Sequence, residues 1–361
     1  VIADECHMIS NRKARSSKSV KQLCRQIPYV IGLSGTPLTN RPKELWHILH
    51  IIRPELYPSA WTFYFDFCKP RRTPWGWNFD GASNLGKLHK RLLSSVMIRR
   101  LKRDVLADLP AKQRIVLPLD LSDAKEYRDA VTDFRGWMIE RSPGKLTGTD
   151  RAEGLVKMGH LKRLAATLKL PMVEEWVDNF LENSEEKLII FGEHRKILRT
   201  LHKRFKESSV LVDGSVTGKH RKLAFHKFLK TKATRLFIGN TKAAGVGWSA
   251  SGVCNIAFVE LPWSPGLIVQ AEDRVHGLFR GQEGIHSSIY FLVAKNTMEE
   301  KLLKILQAKQ QTLDAALDGN NTASTLNVFD LLKESLLNDR EIDDKIREPE
   351  RSNKRSRLSI P

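Results

Sequence analysis

From Lys187 to Ala294 short apolar runs alternate with helical stretches, and that rhythm constrains the fold more than any other feature of the chain. "KLIIF" reads as a buried strand and "HRKILRTLHKRF" as a helix. "SSVLVDG" is a strand and "GKHRKLAFHKFLK" a helix, and "TRLFIGN", "NIAFVEL" and "SSIYFLVA" are three more short apolar runs. Strands and helices alternating in this way predict an α/β fold, a mostly parallel sheet covered by helices on both faces. Catalytic and binding groups then belong at the carboxyl ends of the strands.

Upstream the pattern is less regular. "VIADECHMIS" runs from apolar residues straight into Asp4 and Glu5, and "IPYVIGLSGTP" holds a short strand, Tyr29 to Leu33, stopped by Ser34-Gly35-Thr36-Pro37. "RPKELWHILHII" reads as a helix with Pro42 near its start. Residues 53–83 are aromatic and turn-rich, which predicts irregular structure with short helices. Helical spacing returns from Leu85 to Leu106 with Arg99, Arg100, Lys102 and Arg103 among its cations. "DLPAKQRIVLPLDL", with two prolines, reads as a connector. Helical stretches follow over 121–142 and 152–183, separated by a loop, "RSPGKLTGTD". "MEEKLLKILQAKQQTLDAALDG" is an amphipathic helix closed by Gly319, and "NVFDLLKESLL" one more short helix. The last stretch, "REIDDKIREPERSNKRSRLSIP", is charged and predicted to be disordered.

A chain of 361 residues has room for about two domains. Its net charge of +19 favours a polyanionic partner, nucleic acid before anionic membrane. The sequence holds no transmembrane run and no signal peptide. Cys6, Cys24, Cys68 and Cys254 form no CxxC pair, which argues against a zinc knuckle or a disulfide framework and for a reducing compartment. His47 and His50 stand at helical spacing and read as a helix face rather than a metal site.

An acid pair after an apolar run is a weak signal alone, but here the order of later segments strengthens it. "DECH" at 4–7 is followed by "SGTP" at 34–37, "TKAAGVGWS" at 241–249 and "QAEDRVHGLFRGQ" at 270–282. This series resembles the motor of superfamily-two helicases, specifically the Swi/Snf-type DNA translocases. "TPWGWNFDGASNLGKLHKRLLSSVMIRRLKRDVLADLPAKQR" is similar to the annealing-helicase subgroup, the HARP-like proteins. The resemblance covers roughly residues 1–318.

It implies two RecA-like lobes with helical insertions: an incomplete first lobe over 1–118, a second over 119–318 and a charged tail over 319–361. It implies ATP and magnesium as cofactors, with duplex or branched DNA as partner. Asp4 would hold magnesium through a water and Glu5 would orient the attacking water, since phosphoryl transfer needs positioning and charge neutralisation. Arg274 would be the arginine finger, placed by Gln270 and Asp273. Members of the family carry a second arginine directly after the histidine. Here Gly277 follows His276: either two residues are inserted and Arg280 takes that part, or the finger is impaired. His7, Ser34, Gly35 and Thr36 would couple the nucleotide to the DNA track. Thr241, Gly245 and Gly247 form a turn expected to approach phosphate closely, with Gly245 also counted at the nucleotide. Trp248-Ser249 stands where family members often have Asn-Leu, and Trp263 in "LPWSPG" is structural. Asp213 and Gly214, at the end of a strand, join the DNA-coupling set. Arg195 to Lys232 holds twelve Lys/Arg against two Asp/Glu, the composition of a surface that contacts phosphates without regard to sequence.

One phosphate-loop match is set aside. "GASNLGKL" at 81–88 continues with Leu88 where a true loop has Ser or Thr, and it follows the acid pair instead of preceding it. The Lys-bearing loop is therefore expected upstream of residue 1, and the chain alone is expected to be inactive as an ATPase. The alternatives are a non-catalytic DNA-binding or assembly module, or an RNA helicase on the same motor. The expected location is intracellular: nuclear in a eukaryote, cytoplasmic in a bacterium or phage. No recruiting protein is legible in the sequence.

Overall fold

The computed structural model describes residues 1–73, 76–106, 109, 112–140, 148–244, 248, 250, 252–276, 286–318 and 332. Strand β1 (Ile2–Ala3) pairs in parallel with β2 (Ile31–Gly32), and β1 ends on the Asp4-Glu5 turn. Helix α1 (Arg15–Cys24) lies between them. Helix α2 (Lys43–Ile52) buries nearly its whole length, from Leu45 to Ile51 apart from His50. Helix α3 (Ala60–Phe67) starts at Ser59, whose hydroxyl accepts from Thr62 N. An antiparallel pair, β3 (Arg71–Thr73) and β4 (Gly76–Asn78), follows where irregular structure was expected. Helices α4 (Leu85–Ser95) and α5 (Lys102–Val105) complete this half. The α4 leucines Leu85, Leu88 and Leu92 sit in one core with Trp46, Phe63 and Phe67.

That core explains the rejected phosphate loop. Leu88 is fully buried in it, and a Cβ on Gly81 would meet Lys69 Cβ at 2.8 Å. The segment is a tightly packed helix entry.

The proline-bearing "connector" is a strand, β5 (Lys112–Leu119). Among the described residues it pairs with one neighbour only, which is how a strand tolerates Pro118, a residue without an N–H to donate. Helices α6 (Ala124–Glu140), α7 (Gly148–Leu168) and α8 (Leu170–Asn183) form the insertion, so residues 148–150 are the start of a helix and not loop. The remaining elements alternate: β6 (Leu188–Gly192), α9 (Arg195–Arg204), β7 (Ser209–Val212), α10 (Gly218–Lys230), β8 (Leu236–Asn240), α11 (Thr241–Ala244), β9 (Asn255–Phe258), α12 (Pro265–Glu272), β10 (Ser287–Ala294) and α13 (Met298–Asp318). The six-stranded sheet runs β5-β10-β9-β6-β8-β7, parallel throughout. Residues of β6, β8 and β9 have no exposed side chain on either face, the condition for a parallel sheet covered on both sides. The α/β expectation holds. Residues 319–331 and 333–361, with the predicted short helix and tail, lie outside the described residues apart from Leu332.

Between α7 and α8 one charge is buried with its partner. Lys169 is fully buried and donates to Glu299 Oε2 at 2.5 Å and to the Leu292 carbonyl at 2.5 Å. The same Glu299 oxygen accepts from Ala294 N at 2.9 Å. This pair ties the helical insertion to the end of β10 and to the first turn of α13. Removing one member leaves an uncompensated charge in the interior, so Lys169→Ala is expected to cost about 3–5 kcal/mol. Lys169→Met combined with Glu299→Gln keeps an acceptor for Ala294 and should recover most of that loss. Urea unfolding of the three proteins measures it, and equal stability of Lys169→Ala and wild type would show the pair to be dispensable.

Candidate functional site

The acid pair stands on a strained turn. Glu5 has left-handed backbone, φ 49° and ψ 47°, uncommon for a residue with a side chain. Its N–H donates to Asp4 Oδ1 at 2.8 Å, leaving the second Asp4 oxygen in solvent. The turn carries the chain from β1 into a short 3₁₀ segment, Cys6–Ile9, and directs the Glu5 carboxylate at His7, Oε2 to Nδ1 3.3 Å.

His7 is the centre of the arrangement. Its Nδ1 lies 3.0 Å from Ser34 Oγ, and its Nε2 lies 3.2 Å from the side-chain nitrogen of Gln270. That nitrogen also donates to Thr36 Oγ1 at 2.7 Å. The amide of Gln270 has two hydrogens and no acceptor capacity at nitrogen, so His7 Nε2 must be the acceptor and Nδ1 the protonated atom. Burial lowers the His7 pKa, and Glu5 offsets that only in part, which fits a neutral ring. Ser34 Oγ in turn accepts from Thr36 N at 3.2 Å. The "DECH" turn, the "SGTP" turn and the first part of "QAEDR" are thus joined although 263 residues separate His7 from Gln270. The approach is close on the backbone too. Gly266 N donates to Thr39 O at 3.3 Å, and a Cβ on Gly266 would fall 2.9 Å from that oxygen.

Arg274 is half-buried in the turn that follows α12, two residues past its end at Glu272. Its Nε donates to Gln270 O at 3.1 Å and its Nη1 to Trp248 O at 2.6 Å. Burial lowers its pKa, and the facing carboxylates of Glu5 and Asp273 oppose that. Asp273 points elsewhere than its expected role suggests. It accepts from Lys102 Nζ at 3.0 Å and Lys112 Nζ at 3.2 Å, and although burial pushes its pKa up, these two cations hold it below the usual carboxylate range. Its neighbour Glu272 is fully buried and takes a two-pronged bond from Arg114, 2.8 Å on each oxygen, plus Lys112 Nζ at 3.1 Å. The sequence reading missed this Lys102–Lys112–Arg114 set. Its only signal was three cations near the "connector" and two adjacent acids in "QAEDR".

The expected DNA-coupling residues divide. Thr241 is buried and donates its hydroxyl to Gly192 O at 3.1 Å, so in this arrangement it faces the sheet and not a phosphate. Asp213 is buried as well. It accepts from Ser215 N at 2.8 Å and pairs with Arg199 Nη2 at 2.9 Å, and these bonds, outweighing burial, keep its pKa low. Its part is to brace Arg199 on α9. Gly214 lies against Arg195, whose Nη2 would be 3.2 Å from a Cβ there. The N-terminus of α9 is braced by Glu260, whose Oε2 accepts from Glu193 N and His194 N, 2.8 Å each. Arg195 and Arg199 are thereby held on one helical face beside the 213–214 turn. Gly35 has open space where a side chain would go. Gly245, Gly247 and Arg280, with the Ser249 and Gly277 departures, lie outside the described residues. His47 and His50 both lie on α2. His50 Nδ1 bonds to Tyr57 O at 2.9 Å and its ring stacks on Trp46.

The sequence matches the family model of the SNF2-related domain over residues 1–166 and that of the helicase conserved C-terminal domain over 169–277. The two matches meet at the α7–α8 junction, whereas the six-stranded sheet already takes in residues 112–119. The "SWI/SNF-related matrix-associated actin-dependent regulator of chromatin subfamily A-like protein 1" of Bos taurus is 34% identical over 321 residues, 88% of this chain and 33% of that protein. The "DNA annealing helicase and endonuclease ZRANB3" of Homo sapiens is 32% identical over 328 residues, 88% of this chain and 30% of that protein. The chain therefore spans about a third of the length of these relatives. Among solved structures, the Sulfolobus solfataricus SWI2/SNF2 ATPase core in complex with dsDNA aligns with 88% of this chain and 69% of its own, at 20% identity and a TM-score of 0.45.

The His7 assignment is open to direct measurement. Because its pKa is lowered on folding, the unfolded chain binds the extra proton first. The stability this neutral ring contributes is full above the ordinary value of 6.5 and falls as pH drops below it, while in the folded chain the contact with Gln270 lasts down to the ring's own lowered pKa. Nitrogen-15 NMR of the ring is expected to show the Nδ1-protonated form persisting below pH 6.5. An Nε2-protonated ring, or a titration at or above that value, would contradict the geometry.

Proposed function

An SNF2-related domain followed by a helicase conserved C-terminal domain makes up most of this chain, and from that premise we propose that it is the motor core of an ATP-driven translocase on double-stranded DNA. The HARP-like block and the two relatives extend the reading to annealing or remodelling of branched DNA. The observation that supports it is the Gln270 amide, which donates to both His7 and Thr36 and so couples the acid-pair turn to the arginine helix.

The donor set fits magnesium nucleotide. Asp4 offers a solvent-facing carboxylate oxygen at the end of β1, and magnesium takes such oxygens while keeping several of its own waters. Bound magnesium would neutralise charge on the phosphates. Glu5, turned inward by its left-handed backbone, would orient the attacking water and accept its proton. Arg274 would act as the finger by exchanging the Gln270 and Trp248 carbonyls for phosphate oxygens. Its fork geometry suits that exchange and a lysine's does not. The His7–Gln270–Thr36 contact would report the change at the nucleotide to the DNA side. There Arg195 and Arg199, with the cations of α10, would hold the phosphate backbone. On the same reading the protein works where the DNA is, in the nucleus of a eukaryote or the cytoplasm of a bacterium or phage.

For the whole gene product, Glu5→Gln and Arg274→Lys are each expected to lower DNA-stimulated ATP hydrolysis about 10³-fold or more, with duplex affinity within about twofold of wild type. Affinity should fall linearly with salt on logarithmic axes as released counterions oppose binding. Near-normal turnover in Arg274→Lys would overturn the finger assignment. Turnover unaffected by Glu5→Gln, with DNA binding intact, would favour a non-catalytic DNA-binding module.

A further inference from the structure

Helix α3 is aromatic on both sides. Phe63 and Phe67 are buried in the core, as an amphipathic helix requires. The opposite side should be polar, yet Trp61 and Phe65, one turn apart, are 58% and 42% exposed. The β3–β4 pair lays Trp77, 45% exposed, on the same surface. Phe65 and Trp77 meet edge to face with centroids 4.8 Å apart, and Phe79 fills the space beneath, 5.5 Å from both Trp61 and Phe65. Single exposed aromatics are ordinary, but three large ones in contact form a patch of the kind that marks a binding surface.

The chemistry around the rings selects the occupant. The residue directly across the strand pair from Trp77 is Arg72, and directly opposed residues share a face. Lys69, Arg71 and Arg72 follow α3 within five positions, with no acid among them. Beside the patch runs a cleft of about 660 Å³ lined by Arg12, Lys43, Glu44, Tyr64, Trp77 and Asp80 among others, where Lys43 pairs with Asp80, so the cations left to the rings are those of the strand pair and its approach. Flat rings offered to solvent beside cations match unpaired bases, each with a π-face to stack and a phosphate to neutralise. A duplex hides its base faces and has no use for such rings.

We propose that Trp61, Phe65 and Trp77 form a stacking platform for an unpaired stretch of nucleic acid, with Arg72 on its phosphates. This site is separate from the His7–Gln270 cleft and from the α9–α10 cations. It deepens the proposed function, and rests on it only in taking DNA as the nucleic acid. A motor on branched DNA would use it to hold a strand not yet paired.

The test is fluorescence anisotropy of the purified chain with three labelled probes: a mixed-sequence single strand, an abasic strand of equal length, and a duplex. The wild type should bind the base-bearing strand about tenfold or more tighter than the abasic one. Trp77→Ala, and Trp61→Ala with Phe65→Ala, should remove that difference with duplex affinity within about twofold of wild type, while Trp77→Phe keeps most of it. Melting temperatures confirm that the variants fold. Equal affinity of the wild type for base-bearing and abasic strands would overturn the platform without needing any variant. So would variants that bind the single strand normally but lose self-association, which would make the patch a protein contact. Loss of duplex binding by the wild type with single-strand binding intact would refute the duplex motor and leave the platform standing.

Discussion

The side-chain amide of Gln270 is the constraint on which the rest of the site depends. Its two hydrogens reach one acceptor on the acid-pair turn and one on the "SGTP" turn. Both must be acceptors at once, so His7 has to be neutral and singly protonated on Nδ1. Burial enforces that state, and Ser34 and Glu5 on the Nδ1 side make the choice of tautomer possible. A charged ring would have a proton facing the amide hydrogens. The protonation state of His7 thus decides whether this particular bond between the two sides of the cleft can form.

Helix α12 carries that amide because of what lies on its other side. Gly266 lets the helix entry approach the Thr39 backbone, and Ser264 Oγ adds a bond to the same carbonyl at 2.8 Å. On the last turn, Glu272 is held by Arg114 and Lys112 from the edge strand β5, and Asp273 by Lys102 from α5. The helix is therefore pinned at its start to the first half of the chain and at its end to the segment that joins the halves. A buried carboxylate such as Glu272 is costly unless paired on both oxygens. Arg114 supplies that pairing, and the planar fork explains why an arginine stands there. Position 114 is on an edge strand, the only kind that can also accommodate Pro118 four residues later.

The legible parts of the fold are those where burial alone decides. Strands β6, β8 and β9 were readable because residues such as Ile189, Ile238 and Ala257 are covered on both faces, leaving short runs that are apolar in their interiors. Strand β5 was not, because it alternates and contains a proline, and only its place at the sheet edge reconciles those features with a strand. Residues 53–83 were read as irregular with short helices, which α3 bears out and the β3–β4 pair does not, because nothing local distinguishes a ring bound for the core from one bound for the surface. Phe63 and Phe65 differ in fate by packing alone. In the site, the identities of His7, Thr36 and Gln270 were legible from the order of segments. Their mutual hydrogen bonds were not, since no pattern in one chain encodes a contact across 263 residues. Thr241 shows another limit of local reading. A threonine after a strand end suits a phosphate, but its hydroxyl satisfies Gly192 O at the neighbouring strand end, a requirement only the sheet order reveals.

The posture of Arg274 follows from the same accounting of polar groups. A half-buried guanidinium must give its hydrogens to acceptors, and with two carbonyls of its own half it has them. Those carbonyls are neutral, whereas a phosphate oxygen is charged, and a charge-assisted bond is roughly twice as strong as a neutral one. The present partners are therefore strong enough to hold the side chain in one place and weak enough to be exchanged. Glu5 facing across the cleft works in the same direction, since its negative charge favours the arginine's cationic form there before any anion arrives. A lysine at this position has no fork to span Gln270 O and Trp248 O. Its ammonium would be drawn towards Glu5 and would neutralise the carboxylate proposed above as the base. The arginine's rigidity thus keeps base and cation apart, a role in the resting site that charge alone would not perform.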